Sequence, residues 1–165
     1  LEYSRIGRNS IPIELTDVHK LVTDAIASID PPSTFQIEIA ANLPRLTTRR
    51  LLLKKVFFNL INNAIEHHPS PHGTVKITVT DCGDRYEFAV TDDGQGIEPQ
   101  YHEKIYTIFQ TLQARDTHES TGVGLAIVKK IVETEGGTIG LKSSWGQGST
   151  FSFTWLKQPI ELGFW

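Results

Sequence analysis

The chain has 165 residues, 39% of them hydrophobic, with 16 Lys and Arg against 19 Asp and Glu and a net charge of −3. That length supports one domain with a real core, and the acidic balance argues against a general nucleic-acid binder, which carries a basic face. No apolar run reaches the ~20 residues of a membrane span, and the single cysteine, Cys82, excludes an internal disulfide and suits a reducing, cytoplasmic compartment.

In chain order, residues 1–7 read as the tail of a helix begun upstream, broken at Gly7 and around Pro12. The pair Thr16-Asp17 predicts a capped helix over 18–29 with Leu21, Val22, Ala25, Ile26 and Ile29 on one face, stopped by Pro31-Pro32. Residues 35–39 alternate as a strand with a polar outer face, which suits a sheet edge. Leu46-Thr47-Thr48 is expected to cap the longest helix, roughly residues 49–67. At about 100° per residue, Leu53, Phe57, Leu60, Ile61, Ala64 and Ile65 share a broad apolar face, and Lys55, Asn59, Asn62, Asn63 and Glu66 lie opposite. Three asparagines within five residues cost helix propensity, a few tenths of a kcal/mol each, where a merely solvated face would carry Lys, Glu or Arg. Amide oxygens that ligate a hard cation or accept hydrogen bonds account for them better.

Residues 74–81 and 85–92 read as a hairpin turning at Cys82-Gly83-Asp84. Its second strand runs into Asp92-Asp93-Gly94-Gln95-Gly96. A carboxylate there, Asp93 in this reading, can accept from an exocyclic amine such as adenine presents, and Gly94 and Gly96 let the backbone approach a flat ligand. A short helix with Ile105 and Phe109 inward is expected next. The polar, aperiodic stretch 110–121 suits a mobile functional loop. It leads to Gly122-Val123-Gly124 and an apolar helix to about residue 135, whose N-terminus is an anion site. Gly136-Gly137 closes that helix, a second hairpin spans 138–143 and 149–156, and residues 158–165 read as a tail.

An asparagine-faced helix, a carboxylate–glycine turn after a strand, a polar loop and Gly-x-Gly opening a helix together describe a site for a nucleoside triphosphate with a divalent cation. A Rossmann fingerprint fails because Gly122 follows a loop rather than a strand, and a Walker loop fails for want of Gly-Lys-Ser/Thr. Neither an EF-hand glycine and glutamate nor a Gly-x-Ser-x-Gly elbow is present. The six histidines have no metal-ligand spacing backed by cysteines, and all but His67 read as surface residues.

Residues from about 44 to 156 resemble the catalytic, ATP-binding domain of sensor histidine kinases, in the superfamily shared with gyrase B, MutL and the large ATP-dependent chaperones. Phe58-Asn59-Leu60-Ile61-Asn62-Asn63-Ala64 is similar to the N box, Asp93-Gly94-Gln95-Gly96-Ile97 to the G1 box and Ile105-Tyr106-Thr107-Ile108-Phe109 to the F box. Thr121-Gly122-Val123-Gly124-Leu125-Ala126-Ile127-Val128 is similar to the G2 box, and Gly146-Gln147-Gly148-Ser149-Thr150-Phe151 to the last glycine motif. The lid and G2 region looks most like that of phytochrome-type and related photosensor kinases.

The resemblance implies a two-layer α/β sandwich of the Bergerat type, a mixed β-sheet backed by three helices with a mobile ATP lid. It implies ATP and Mg²⁺ as cofactors, with Asn63 ligating the metal, Asn59 near the phosphates, Asp93 on the adenine amine and His67 against the adenine. Gly122 and Gly124 serve the phosphates, and Gly94, Gly96, Ile97, Phe109, Arg115, Thr121, Val123, Leu125 and Thr150 complete the nucleotide site. It also implies residues 1–13 as the end of a dimerisation helix and linker, 14–157 as the catalytic domain and 158–165 as a tail. The implied partners are a dimerisation and phosphoacceptor domain of the same kinase and a response-regulator receiver domain, with no nucleic acid and no membrane contact. Glu66 stands where a lysine or arginine is common, Ser120 replaces a glycine of the G2 box, and Thr111 replaces a basic residue. A hydrolytic ATPase of the same superfamily and a degenerate nucleotide-sensing module are the alternatives; the former wants a carboxylate base where Asn59 stands.

Overall fold

A computed structural model describes residues 11–107 and 124–161. Strand β1 (Glu14–Asp17) runs straight into helix α1 (Val18–Ile29), and Asp17 marks the change by accepting the Lys20 N–H at 3.3 Å. Val18, Leu21, Val22 and Ala25 bury one stripe of α1, and the helix ends at Asp30, held left-handed at φ 52° ahead of the two prolines. Strand β2 (Phe35–Ile39) and strand β3 (Arg45–Thr48) lead to helix α2 (Arg50–Glu66). Strands β4 (Gly73–Asp81) and β5 (Arg85–Asp92) form the expected hairpin, with Asp81 opposite Tyr86 across the turn. Helix α3 (Gly124–Thr134) and the hairpin of β6 (Ile139–Ser143) and β7 (Ser149–Leu156) follow.

Five strands make one mixed sheet in the order β2-β4-β5-β7-β6, parallel between β2 and β4 and antiparallel elsewhere. β2 occupies an edge, as its polar outer face requires, with Gln36 and Glu38 exposed. Along β5 and β7 the burial alternates, placing Phe88 and Val90, and Phe151, Phe153 and Trp155, on the helix side. Phe57 of α2 meets Phe88 and Phe153 edge-on, each with ring centroids 5.3 Å apart, and this aromatic cluster joins the helical layer to the sheet. Such pairs add about 0.5–1.5 kcal/mol beyond the area they bury. The two-layer α/β sandwich with three helices is therefore as expected.

Two local expectations are overturned. Leu46-Thr47-Thr48 does not cap α2. It lies in β3, which pairs with β1 as a separate two-stranded ribbon, Glu14 opposite Thr48. Thr48 is buried and its Oγ1 accepts the Trp155 Nε1–H at 2.8 Å, so the hydroxyl serves the core and α2 starts with no side-chain cap. The single helix expected after Pro99 is two 3-10 turns, Pro99–Tyr101 and Lys104–Tyr106. Ile105 is buried there as expected, and Phe109 lies outside the described residues.

One ion pair ties the ends of the helical layer together. Arg49 Nη1 donates to Glu135 Oε1 at 3.0 Å, each side chain only 4% exposed, and Arg49 Nη2 donates to the Ile160 carbonyl at 2.9 Å. The start of the expected tail is thus fastened to the head of α2. Replacing Glu135 by Ala leaves a guanidinium buried without its carboxylate, a change that costs about 3–5 kcal/mol. Urea unfolding of Glu135→Ala is expected to show a loss of that size; a loss below about 1 kcal/mol would mean that the pair is not sheltered from water.

Candidate functional site

The asparagine stripe of α2 stands at the edge of the buried face rather than in open solvent. Asn59, Asn62 and Asn63 are all half-buried, while Glu66 is exposed. Asn59 and Asn63 are one turn apart and so share a stripe. Asn59 looks onto the start of α3, where a Cβ on Gly124 would lie 3.3 Å from Asn59 Oδ1. A side chain there would press on the Asn59 amide, which would have to give by a few tenths of an ångström. The Asn59 Nδ2 is buried with no hydrogen-bond partner among the described residues. A buried amide donor left so costs about 1–3 kcal/mol. It sits beside the N-terminal end of α3, where backbone N–H groups favour an anion.

Facing this stripe across the layer is the end of β5. The strand alternates, so Asp92 follows Phe88 and Val90 onto the helix side, while Thr91 points the other way and bonds Thr150 Oγ1 at 3.0 Å. Asp92 Oδ1 accepts the Gly94 N–H at 2.9 Å. Burial pushes the Asp92 carboxyl above the ordinary carboxylate value, against the pull of the Gly94 N–H, the His68 ring and the Ser149 N–H. Asp93, one residue further, has a side chain 58% exposed. Its Oδ1 already accepts the Thr74 N–H at 2.9 Å and faces His68 Nε2 at 2.8 Å. Burial would raise the Asp93 carboxyl, but the Thr74 N–H and His68 outweigh it and hold it below the ordinary value.

The structure places the two neighbouring carboxylates differently. Asp93 is past the strand, turned to solvent and engaged within the protein; the sheltered carboxylate on the helix side is Asp92. Thr150 and Ser149 differ in the same way. It sits on the far face of β7, bonded to Thr91, whereas Ser149 is buried on the helix side opposite Asp92 in the β5–β7 register. Both placements follow from the two-residue period of a strand, a signal present in the sequence once Phe88-x-Val90 and Phe151-x-Phe153 are taken as the inward set.

The turn after β5 is laced to the β6–β7 turn. Gln95 O accepts the Gly146 N–H at 2.5 Å, and the Ile97 N–H donates to Ser143 Oγ at 2.7 Å. Gly96 has φ 80°, and a Cβ there would lie 2.0 Å from Ser144 O; Gly148 has φ 75°, and a Cβ there would lie 2.2 Å from Asp92 O. Neither position accepts a side chain. Gly94 packs close to Asp92, a Cβ there falling 3.0 Å from Asp92 Oδ1, and Ile97 leans on the core. His67 caps the end of α2, its N–H donating to Asn63 O at 3.1 Å, and Leu125 packs against the core from the first turn of α3. His68, expected at the surface, is buried beneath Asp93 with its side chain 5% exposed. Phe109, Arg115, Thr121, Gly122 and Val123, with the stretch 110–121, lie outside the described residues. Among the described candidates, Asn59 lies against Gly124 and Gly94 against Asp92, while Asp92 and Ser149 pair on the helix side of the sheet.

Comparison with known proteins gives the family of the chain. Residues 48–160 match the family model described as "Histidine kinase-, DNA gyrase B-, and HSP90-like ATPase". The chain is 38% identical over 157 residues to the phytochrome-like protein Cph1 of Synechocystis, covering 93% of this chain and 21% of that protein. It is 33% identical over 157 residues to the sensor histidine kinase ZraS of Escherichia coli K12, covering 92% of this chain and 32% of that protein. It thus spans a fifth to a third of these curated relatives. Among solved structures, the catalytic domain of histidine kinase ThkA superposes with a TM-score of 0.70 at 27% identity, over 88% of this chain and 96% of that one. The mycobacterial sensor histidine kinase MprB shares the fold with a TM-score of 0.77 at 21% identity, over 90% of this chain and 100% of that one. The chain belongs to the family of histidine kinase-, DNA gyrase B- and HSP90-like ATPases, and within it to the ATP-binding catalytic domains of histidine kinases.

Proposed function

We propose that this chain binds Mg²⁺-ATP between α2, α3 and the end of β5 and delivers the γ-phosphate to a histidine on a dimerisation domain of the same kinase. A response-regulator receiver domain then takes the phosphoryl group from that histidine. The observation that carries this reading is a matched pair of unmet demands. Asn59 keeps a buried donor with no partner beside the α3 N-terminus, and Asp92 keeps a carboxylate on the helix side of the sheet where burial disfavours its charge. A nucleotide supplies both, phosphate oxygen at one end and an exocyclic amine at the other. Sites that break a local rule of stability are where a ligand is expected, and here the Asn59 donor has no partner among the described residues while the Asp92 carboxylate is only partly compensated by the Gly94 and Ser149 N–H groups.

In this reading Asp92 accepts the adenine amino group, with Ser149 and Gly94 shaping the carboxylate and His67 and Ile97 flanking the base. Gly96 keeps the turn close to the base and sugar. Asn59 donates to phosphate, and Asn63 supplies a hard amide oxygen to the metal. Mg²⁺ held by Asn63 would supply neutralisation of phosphate charge. Gly122 and Gly124, with Thr121, Val123 and Leu125, present the start of α3 to the phosphates, and Phe109 and Arg115 belong to the lid. The chain's own contribution is positioning and charge stabilisation, because phosphoryl transfer needs little else from the protein. No carboxylate occupies the Asn59 position, and an amide cannot take a proton from water, which favours transfer to a partner over hydrolysis. Residues 1–13 then join the domain to its dimerisation helix, and the site of action is cytoplasmic.

Asp92→Asn separates stability from binding. The folded pKa of Asp92 lies above its ordinary value of 3.8, so its protonated form favours the fold. That contribution is full below 3.8 and is lost as pH rises through the folded value, leaving an ionised carboxylate that costs stability at neutral pH. The neutral amide of Asp92→Asn is expected to raise the melting temperature at pH 7, with the gain shrinking toward pH 3. The same variant is expected to lose a charge-assisted bond of about 1.5–3 kcal/mol, one to two decades of ATP affinity. Unchanged affinity by calorimetric titration in the folded variant would remove Asp92 from the site.

Asn63→Ala is expected to weaken ATP binding in Mg²⁺ more than in excess EDTA; equal losses in the two buffers would reject Asn63 as the metal ligand. The transfer step is tested with radiolabelled ATP. Alone, the chain should bind nucleotide, stay unlabelled and release phosphate slowly. With a dimerisation domain added, acid-labile, base-stable label should appear on that domain. Label on the chain itself or brisk phosphate release without a partner would favour the ATPase reading.

A further inference from the structure

We infer that His68 and Asp93 form a clasp that positions Asp92 relative to the asparagine stripe of α2, so that His68 is a positioning residue for nucleotide binding. This rests on the reading of Asn59, Asn63 and Asp92 as nucleotide-contacting groups. His68 lies two residues beyond the end of α2 and five beyond Asn63; Asp93 is the residue after Asp92. The bond between His68 Nε2 and Asp93 Oδ1, at 2.8 Å, therefore ties the helix that carries the metal ligand to the turn that carries the base-reading carboxylate. A nucleotide bridges those two parts, so their spacing decides how well one molecule satisfies both.

The clasp is closed on every side. An ionised Asp93 can only accept, so His68 Nε2 carries the proton that points at it, and the Ser70 N–H lies 3.1 Å from Nδ1. The Ser70 carbonyl lies 3.0 Å from the same Nδ1. Phe35 of β2 meets the imidazole edge-on, with centroids 5.3 Å apart at 84°. Gly73 leaves room for the ring, since a Cβ there would lie 2.7 Å from His68 Nε2, and Gly94 passes with its Cβ position 3.6 Å from His68 Cδ2. Thr74 N–H donates to the same Asp93 oxygen at 2.9 Å, so the turn is held from the β4 side as well. A histidine placed only to fill the core needs none of this. Here both ring nitrogens are engaged, and the imidazole is buried while its acidic partner is 58% exposed.

A double-mutant cycle on the 165-residue chain tests the clasp, with affinity for a non-hydrolysable ATP analogue read by calorimetric titration. Asp93→Ala is the variant least able to disturb the core, because that side chain is mostly in solvent. Asp93→Ala and His68→Ala are each expected to weaken binding about tenfold, and the double variant no more than about tenfold, because directly contacting residues couple. His68→Gln, which keeps a donor in place of Nε2–H, is expected to bind within about threefold of the parent. Nitrogen-15 NMR of the ring should show the Nε2–H tautomer in the parent and a changed signature in Asp93→Ala. Losses that add, or full affinity in folded Asp93→Ala, would overturn the positioning role. If those results came with a large loss in Asp92→Asn, the nucleotide site would stand and only the clasp would fall. If Asp92→Asn also bound normally, the reading of the site itself would fall with it.

Discussion

The register of β5 against β7 decides where every polar group of the site points. With Phe88 opposite Phe153 and Val90 opposite Phe151, the inward set is locked by aromatic packing against Phe57, and the strand cannot slip by one residue without turning its core outward. Asp92 and Ser149 are the last pair in that register, so they inherit the helix-facing side whether or not it suits a carboxylate. The fold accepts this because Gly96 and Gly148 let the two adjacent turns close to backbone contact, and because Gly94 and Ser149 bring N–H groups to the carboxylate. The result is a charge held on the inner side of the sheet at some cost to the empty protein.

The helical layer presents the complementary demand. α2 is buried along Leu53, Phe57, Leu60 and Ile61, and that packing turns Asn59 and Asn63 toward the margin of the layer, where α3 begins. Asparagine is a poor helix former, and Asn59 also keeps an unpaired buried donor. Stability alone selects neither feature. Elsewhere Thr48 takes the Trp155 indole and Arg49 gives its terminal nitrogens to Glu135 and the Ile160 carbonyl, while the Arg49 Nε and the Tyr106 hydroxyl stay buried without a partner among the described residues. Of these three unpartnered groups, the Asn59 amide is the one on the asparagine stripe, beside the start of α3.

Much of this was legible in the sequence, for reasons that are themselves physical. α1, β2, α2 and both hairpins carry their periodicity and their punctuation locally, in Asp17, Pro31-Pro32, Gly83 and Gly136-Gly137. β1 and β3 were not legible, because strands of four residues, paired only to each other, owe their form to a distant partner; Thr47-Thr48 beside a helix start looks like a cap until Trp155 claims the hydroxyl. The different placement of Asp92 and Asp93 was legible as well. Counting inward residues from Phe88 reaches Asp92, and counting from Phe153 reaches Ser149 rather than Thr150. His68 was not legible at all, since nothing near it in sequence announces that Asp93 and Phe35 will enclose it.

The central claim is that the carboxylate at the end of the inward set reads the adenine amine, and base substitution tests it most directly. Inosine triphosphate replaces that amine with an oxygen, so a carboxylate that favours ATP should disfavour it. Affinities of the parent, Asp92→Ala and Asp93→Ala for the two nucleotides can be compared in one calorimetric series. The account predicts a preference for ATP of about tenfold or more in the parent, since a lost bond worth 1.4 kcal/mol is a decade of affinity. It predicts that Asp92→Ala abolishes the preference and that Asp93→Ala, though a weaker binder, still favours ATP. A preference that survives in Asp92→Ala and vanishes in Asp93→Ala would contradict it.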